Sequence, residues 1–307
     1  MGAAFLYGAA ISHAAHRLVN AIPAGGLSMR IVFGIALALL MSPASGETLV
    51  ERGAYLVSSV MVCHNCHTPR GPQGLDLSRA LSGGNQVFDE PAFKVTGSNI
   101  TPDKDTGIGN WSDAELKRFL VSGDRPNGTK VAPIMPTAFY TVLTARDLDA
   151  LTAYLRSVPA LRHETPAPEY RIALKPETPT YSGKRATEDE LSDKLARGRY
   201  LLTIAHCLEC HTPEGPSAVH DFAGASGKGG RTFKGPWGES ISPNITADPA
   251  AGLGGWSDDE IKRAIAQGIA RDGHKLKPPM AYAAYASMTA QDLDAIVSFL
   301  RTLPPRQ

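Results

Sequence analysis

The second half of this sequence repeats the first. "ERGAYL" at 51 returns as "ARGRYL" at 196, and "SNITPD" at 98 as "PNITAD" at 243. "WSDAELKRFLVSG" at 111 returns as "WSDDEIKRAIAQG" at 256, and "LTARDLDALTAYLRSVP" at 143 as "MTAQDLDAIVSFLRTLP" at 288. Each pair is offset by 145 residues, except that "VCHNCHTP" (62–69) and "HCLECHTP" (206–213) are 144 apart, one residue having been lost between Tyr200 and Cys207. A period this long is not that of a solenoid. It describes two copies of a domain of roughly 110 residues, an ordinary size for a small domain.

Within each copy three helices are predicted. One runs into the cysteine pair, around 49–61 and 194–206. A second starts at Ser112 or Ser257, with Glu115 or Glu260 three residues on to complete a capping box, and buries Leu116, Phe119 and Leu120. A third starts at Thr144 or Thr289, with Leu148, Leu151 and Leu155 (Leu293, Ile296 and Leu300) at helical spacing. No alternating strand pattern is sustained, so the expected fold is mostly α. The predicted boundaries are 47–159 for the first domain, 160–190 for an extended Pro-rich linker, and 191–307 for the second. The glycine-rich stretch "AGASGKGGRTFKGPWG" at 223 lacks the strand-to-helix setting of a phosphate loop and reads as connection.

Residues 1–46 differ from the rest. Arg30 precedes an apolar run from Ile31 to Met41, and Ala44, Ser45 and Gly46 follow, which is the layout of a secretory signal. The run is too short for a confident membrane span, and the alternative is an uncleaved N-terminal anchor. Residues 1–28 read as a mis-assigned start, with Met29 the true one. Export predicts a periplasmic protein in an oxidising compartment, where spare thiols would tend to pair. The formal charge of +1 gives no reason to expect a nucleic-acid partner or a polybasic membrane contact.

All four cysteines, Cys63, Cys66, Cys207 and Cys210, lie in the two C-x-x-C segments. Zinc wants four protein ligands, and two pairs in separate domain copies are awkwardly placed to share an ion. A redox dithiol wants a thioredoxin-like setting, which is not visible. C-x-x-C-H, in contrast, is the attachment sequence for a c-type haem: the two thiols form thioethers and the adjacent histidine, His67 or His211, lies under the iron. For the sixth iron position, Met135 in "KVAPIMPTAFY" and Met280 in "KLKPPMAYAAY" are aligned at the repeat offset. Pro133, Pro136, Pro278 and Pro279 hold these loops extended. Met288 aligns with Leu143 and reads as core; His274 aligns with Thr129 and makes a poor common ligand. Met/His ligation raises the iron potential and leaves no open position, as an electron carrier needs.

With those motifs, each copy resembles a class I cytochrome c domain, and the pair resembles periplasmic di-haem cytochromes. "NITPD", "TGIGNWSD" and the Pro-Met loop are most similar to the cytochrome c subunits of membrane-bound alcohol, aldehyde and gluconate dehydrogenases. The resemblance implies two covalently bound haem c groups, one on Cys63, Cys66, His67 and Met135, the other on Cys207, Cys210, His211 and Met280. It also implies that Gly53 and Gly198 let the first helix cross closely over the last, against Tyr154 and Phe299. The expected function is electron transfer, not catalysis, from a dehydrogenase to a cytochrome or terminal oxidase. Attachment to the outer face of the inner membrane is expected only through a partner or an uncleaved N-terminal segment. The alternative is a di-haem peroxidase, which needs one iron with an open or displaceable ligand. Dehydrogenase subunits of this kind usually carry a third haem domain and often a C-terminal amphipathic anchor; the sequence here, ending "RTLPPRQ", shows neither.

Several other residues are candidates for lesser roles. Trp111 and Trp256 could donate to a haem propionate or simply pack under a helix start. Asn99 and Asn244 could do the same or cap a turn. Arg70 and Lys228 read as solvated charges, and His64 and His206 as exposed neighbours of the cysteines. His163 and His220 have no evident partner.

Overall fold

A computed structural model describes residues 46–173, 183–215, 220–235 and 237–307. The expected export signal and alternative start therefore lie, apart from Gly46, outside the described residues, as does the middle of the predicted linker. Among the described residues no helix is long and apolar enough to cross a membrane.

The first copy runs α1 (Leu49–Tyr55), α2 (His64–His67), β1 (Arg70–Gly71), β2 (Gly74–Leu75), β3 (Val87–Glu90), β4 (Phe93–Thr96), α3 (Asp113–Ser122) and α4 (Ala145–Ser157). After β5 (Glu169–Tyr170), the second runs α5 (Lys194–Ile204), α6 (Cys207–Cys210), β6 (Thr232–Gly235), β7 (Gly238–Ile241), α7 (Asp258–Gln267), α8 (Tyr282–Tyr285) and α9 (Ala290–Leu300). The three long helices of each copy are where the spacing predicts them. Ser112 and Ser257 cap α3 and α7 with the reciprocal Glu115 and Glu260 bonds of a capping box. Thr144 and Thr289 cap α4 and α9 through the amides of Asp147 and Asp292. On α3, Leu116 and Leu120 are buried, whereas Phe119 is half-buried, its ring edge-on to Trp111 at 5.2 Å.

The residue missing from the second copy has a structural counterpart in the first. Leu56–Val60 is wound as a π-helix, with the Met61 amide reaching back to Leu56 and the Cys63 amide to Val57. A π turn absorbs one extra residue without breaking the helix. The second copy, one residue shorter, stays α-helical to Ile204. Both routes deliver the first cysteine to the end of the entering helix.

Beside the expected helices the structure contains short strands. β3 pairs antiparallel with β4 and β6 with β7, in the same register 145 residues apart, and β5 adds a third strand to the first hairpin. Strands β3, β4, β6 and β7 are four residues each and only Phe93 among them is fully buried, too little to show as a sustained alternation. The glycine-rich stretch read as connection contains β6.

α1 crosses α4 and α5 crosses α9 at very close range. A Cβ on Gly53 would stand 2.1 Å from the Ala150 carbonyl oxygen, and one on Gly198 2.0 Å from that of Ala295. Tyr154 and Phe299 flank those crossings, as the resemblance implies. Five consecutive buried residues, Tyr200 to Ile204, show that the C-terminal half of α5 is covered on all sides. The described residues form one compact unit, and buried apolar residues of both copies belong to one continuous cluster. Past α4 the chain remains fastened to the first copy: the Leu161 amide donates to Thr101 (3.2 Å) and that of His163 to Thr106 (3.0 Å). Further on, the Ala186 amide donates to the Val142 carbonyl at 2.9 Å.

Candidate haem-binding motifs

Each C-x-x-C-H segment folds as a single helical turn after a forced bend. Val62 and His206, the residues just before the first cysteines, have φ of 47° and 43°. For β-branched Val62 that is an unfavourable backbone, tolerated where the surrounding packing imposes it. The bend ends the entering helix and starts α2 or α6, so the cysteines and histidine follow one another around one turn.

The histidines are held in one orientation and one tautomer. The Nδ1 of His67 lies 2.7 Å from the Ser98 carbonyl and that of His211 2.8 Å from the Pro243 carbonyl. A carbonyl can only accept, so Nδ1 carries the proton and the lone pair is on Nε2. Burial lowers both imidazole pKa values, opposed by the hydrogen bonds to those carbonyls, and so favours the neutral ring. A neutral imidazole with Nδ1–H on a backbone carbonyl and Nε2 available is the state an iron ligand requires.

The thiols are free and partly exposed. Burial pushes Cys63, Cys207 and Cys210 up to about 12 and Cys66 to about 11. A redox dithiol depends on a lowered pKa, so these are poor nucleophiles at neutral pH. Among the described residues no group of three or more His, Cys, Asp or Glu is placed to hold a metal ion, so the two pairs do not converge as a shared zinc site would require. The donor set fits a covalently attached haem: two protonated thiols one turn apart and an oriented neutral imidazole beside them. Met135 and Met280 sit in the predicted Pro-flanked loops, half-buried against the core. Met288 is a core residue, and His274 is exposed with Nδ1 2.6 Å from Asp272.

Backbone packs tightly around the first motif. A Cβ on Gly84 or Gly97 would come within 2.0 or 1.9 Å of the Cys66 carbonyl oxygen, so only glycine admits that peptide. Asn99 and Asn244 prove to be turn anchors. Asn99 accepts from the amide and hydroxyl of Thr101 (2.9 and 2.8 Å) and donates to Thr106 (2.9 Å) and the Leu161 carbonyl (2.7 Å). Asn244 does likewise with Thr246 and the Arg306 carbonyl. Each therefore fixes the residue before it, Ser98 or Pro243, whose carbonyl orients the histidine.

Trp111 and Trp256 pack against the core, and the Arg156 and Arg301 side chains donate to their carbonyls. His64 and His206 are not the exposed neighbours expected. His64 is half-buried with Nδ1 2.9 Å from the Thr68 hydroxyl; His206 pairs with Glu209 at 2.9 Å and lies edge-on to Phe139 of the first copy. His163 finds a partner in the Ser82 carbonyl at 2.8 Å, and His220 stacks on Phe222. Arg70 and Lys228 are exposed, as expected.

Sequence reasoning missed Thr68, Thr212, Arg156 and Arg301. The hydroxyls of Thr68 and Thr212, both buried, accept the amides of Leu81 and Gly227 (2.9 and 3.2 Å) and tie the motif to the following loop. Arg156 and Arg301 fix the turn before α3 and α7, bonding the Ile108 and Leu253 carbonyls at 2.9 and 2.7 Å. The signal was present: all four residues are duplicated in the repeat.

Residues 195–304 match the Cytochrome c family. The chain is 29% identical over 290 residues to the cytochrome c subunit of an alcohol dehydrogenase (quinone) from Gluconacetobacter polyoxogenes, covering 87% of this chain and 58% of that one. It is 32% identical over 289 residues to the fructose dehydrogenase cytochrome subunit of Gluconobacter japonicus, covering 86% and 55%. A third relative, a diheme cytochrome c-type protein of Cereibacter sphaeroides, is 30% identical over 253 residues, 79% of this chain and 82% of that protein. The chain thus spans little more than half the length of the two dehydrogenase subunits.

Proposed function

The chain belongs to the cytochrome c family, and from that premise we propose that it is a periplasmic di-haem electron carrier built from two tandem cytochrome c domains with a Pro-rich connection. The observation that carries this reading is the duplicated C-x-x-C-H, each histidine locked by Nδ1 to a backbone carbonyl. Cys63 and Cys66 would hold one haem c, with His67 and Met135 as axial ligands; Cys207, Cys210, His211 and Met280 would hold the other. A haem held between histidine and methionine supplies one-electron chemistry at a raised potential with no open coordination position. The protein's own part is to keep each imidazole neutral and oriented, to keep the thiols protonated until attachment, and to exclude water with the shared apolar core. The relatives named as alcohol and fructose dehydrogenase subunits support a dehydrogenase as electron donor, with a cytochrome or terminal oxidase as acceptor. Membrane attachment would come through that donor or the N-terminal segment.

The peroxidase reading needs an iron with a displaceable ligand. The duplicated methionine weighs against it, and the relatives named above give it no support. The test is to express the chain with haem-attachment machinery, count haems by pyridine haemochrome, and record spectra with and without carbon monoxide. Two low-spin haems that ignore carbon monoxide are expected. Met135→Ala and Met280→Ala should each open one site to carbon monoxide and lower its potential. Unchanged spectra in both variants would overturn the axial assignment, and peroxide turnover by the unaltered protein would overturn the carrier.

A further inference from the structure

Two buried carboxylates outside the motifs are shared between the copies in a reciprocal pattern. Asp147 on α4 takes Arg52 of its own copy on both oxygens, Nε at 2.8 Å and Nη2 at 2.9 Å. It also accepts the phenol of Tyr200, from the other copy, at 2.6 Å. Asp292 on α9 repeats this arrangement with copies exchanged: Arg197 Nε at 2.5 Å and the Tyr55 phenol at 2.5 Å. Each phenol oxygen in turn accepts the amide at the cap of the helix it reaches, Thr144 at 3.4 Å and Thr289 at 3.3 Å. Both aspartate side chains are 1% exposed.

The geometry points to a reciprocal lock, Arg52–Asp147–Tyr200 and Arg197–Asp292–Tyr55, that positions the two haem motifs for electron exchange with each other. The inference rests on the di-haem reading. Tyr55 and Tyr200 lie on α1 and α5, the helices that run into Cys63 and Cys207. Each is tied to the last helix of the opposite copy, so both motif-bearing helices are pinned to one frame at two separated points. On top of the shared core, two exchanged contacts fix the copies at two separated points where one would fix a single point. A buried carboxylate holding its own arginine keeps lone pairs to satisfy, and the phenol donates to one without adding a second charge. Tunnelling rates fall steeply with separation, so the lock fixes the internal transfer rate while leaving each haem's ligands untouched. Tyr55, Tyr200, Asp147 and Asp292 are therefore positioning residues.

The test uses full-length holoprotein with a protease recognition site inserted between Glu177 and Thr178. After cutting, the two fragments should co-elute on size exclusion. Tyr55→Phe and Tyr200→Phe should each weaken their association about tenfold, the worth of a hydrogen bond to a charged acceptor. In uncut protein, the double variant should slow electron redistribution between the haems at least about threefold after rapid partial reduction. Its low-spin spectra and its two midpoint potentials should not change. Unaltered fragments that separate on cutting, or a double variant with unchanged redistribution, would overturn the lock. A haem count below two per chain would instead overturn the di-haem reading, and the elution of cut fragments would then decide the lock alone. The single variants guard against a double variant that fails to fold.

Discussion

The Asn99 side-chain amide makes four hydrogen bonds in this turn, two donated and two accepted. Removing the side chain in Asn99→Ala strands the buried Thr101 amide and leaves the half-buried Leu161 carbonyl with only the Thr101 hydroxyl. The expected cost is about 2–4 kcal/mol, read as a lower urea midpoint at unchanged slope. On the di-haem reading the thioethers come from Cys63 and Cys66, which this change leaves in place, so haem content should hold while the His67 ring loses its fixed carbonyl partner. At this scale the sequence was partly legible. The cysteines and histidines point to haem attachment by spacing alone. Asn99 was legible as important, since "NIT" recurs, but whether it served a propionate or a turn depended on where Leu161 returns, 62 residues later.

Helices were read more fully than hairpins, for a physical reason. A helix declares itself through local caps and periodic burial, and the Ser112 and Ser257 boxes are complete within four residues. The strands of the hairpins at 87–96 and 232–241 are four residues each, too short for alternation to stand out in the sequence. The crossings of α1 on α4 and α5 on α9 leave no room for a side chain. Gly198→Ala places a methyl against the Ala295 carbonyl and should destabilise by about 3 kcal/mol by forcing the helices apart; thermal unfolding of the holoprotein measures it. The π turn makes a different prediction. Deleting Ser58 should convert Leu56–Val60 to the α-helical junction of the second copy, leaving helical circular dichroism and haem incorporation intact. Loss of haem at the first motif only would show that the extra residue is needed there.

Across the whole molecule the shared aspartates should contribute to the alkaline limit of stability. Burial, with the hydrogen bond and charge of Asp292, raises Tyr55 from 10 to about 12. Tyr200 is pushed well above its ordinary value by burial and Asp147. Arg52 and Arg197 face the same carboxylates, and the Arg52 guanidinium also lies over the Tyr55 ring. A phenol whose folded pKa is raised stabilises fully below pH 10. That contribution is lost as pH rises through about 12. Urea titrations across that window should show a fall in stability that is smaller in the Tyr55→Phe, Tyr200→Phe double variant, where the buried phenols of Tyr140 and Tyr285 remain.

By itself, the sequence carries the candidate haem motifs and their duplication. A C-x-x-C-H motif is five adjacent residues, and a repeat is visible wherever it lies along the chain. Only the tertiary structure decided that the two copies share one core and exchange tyrosines. Nothing local distinguishes Tyr55 or Asp147 from any other helical tyrosine or capping aspartate. Their meaning comes from partners 237 and 53 residues away, brought together only when α1, α4, α5 and α9 pack.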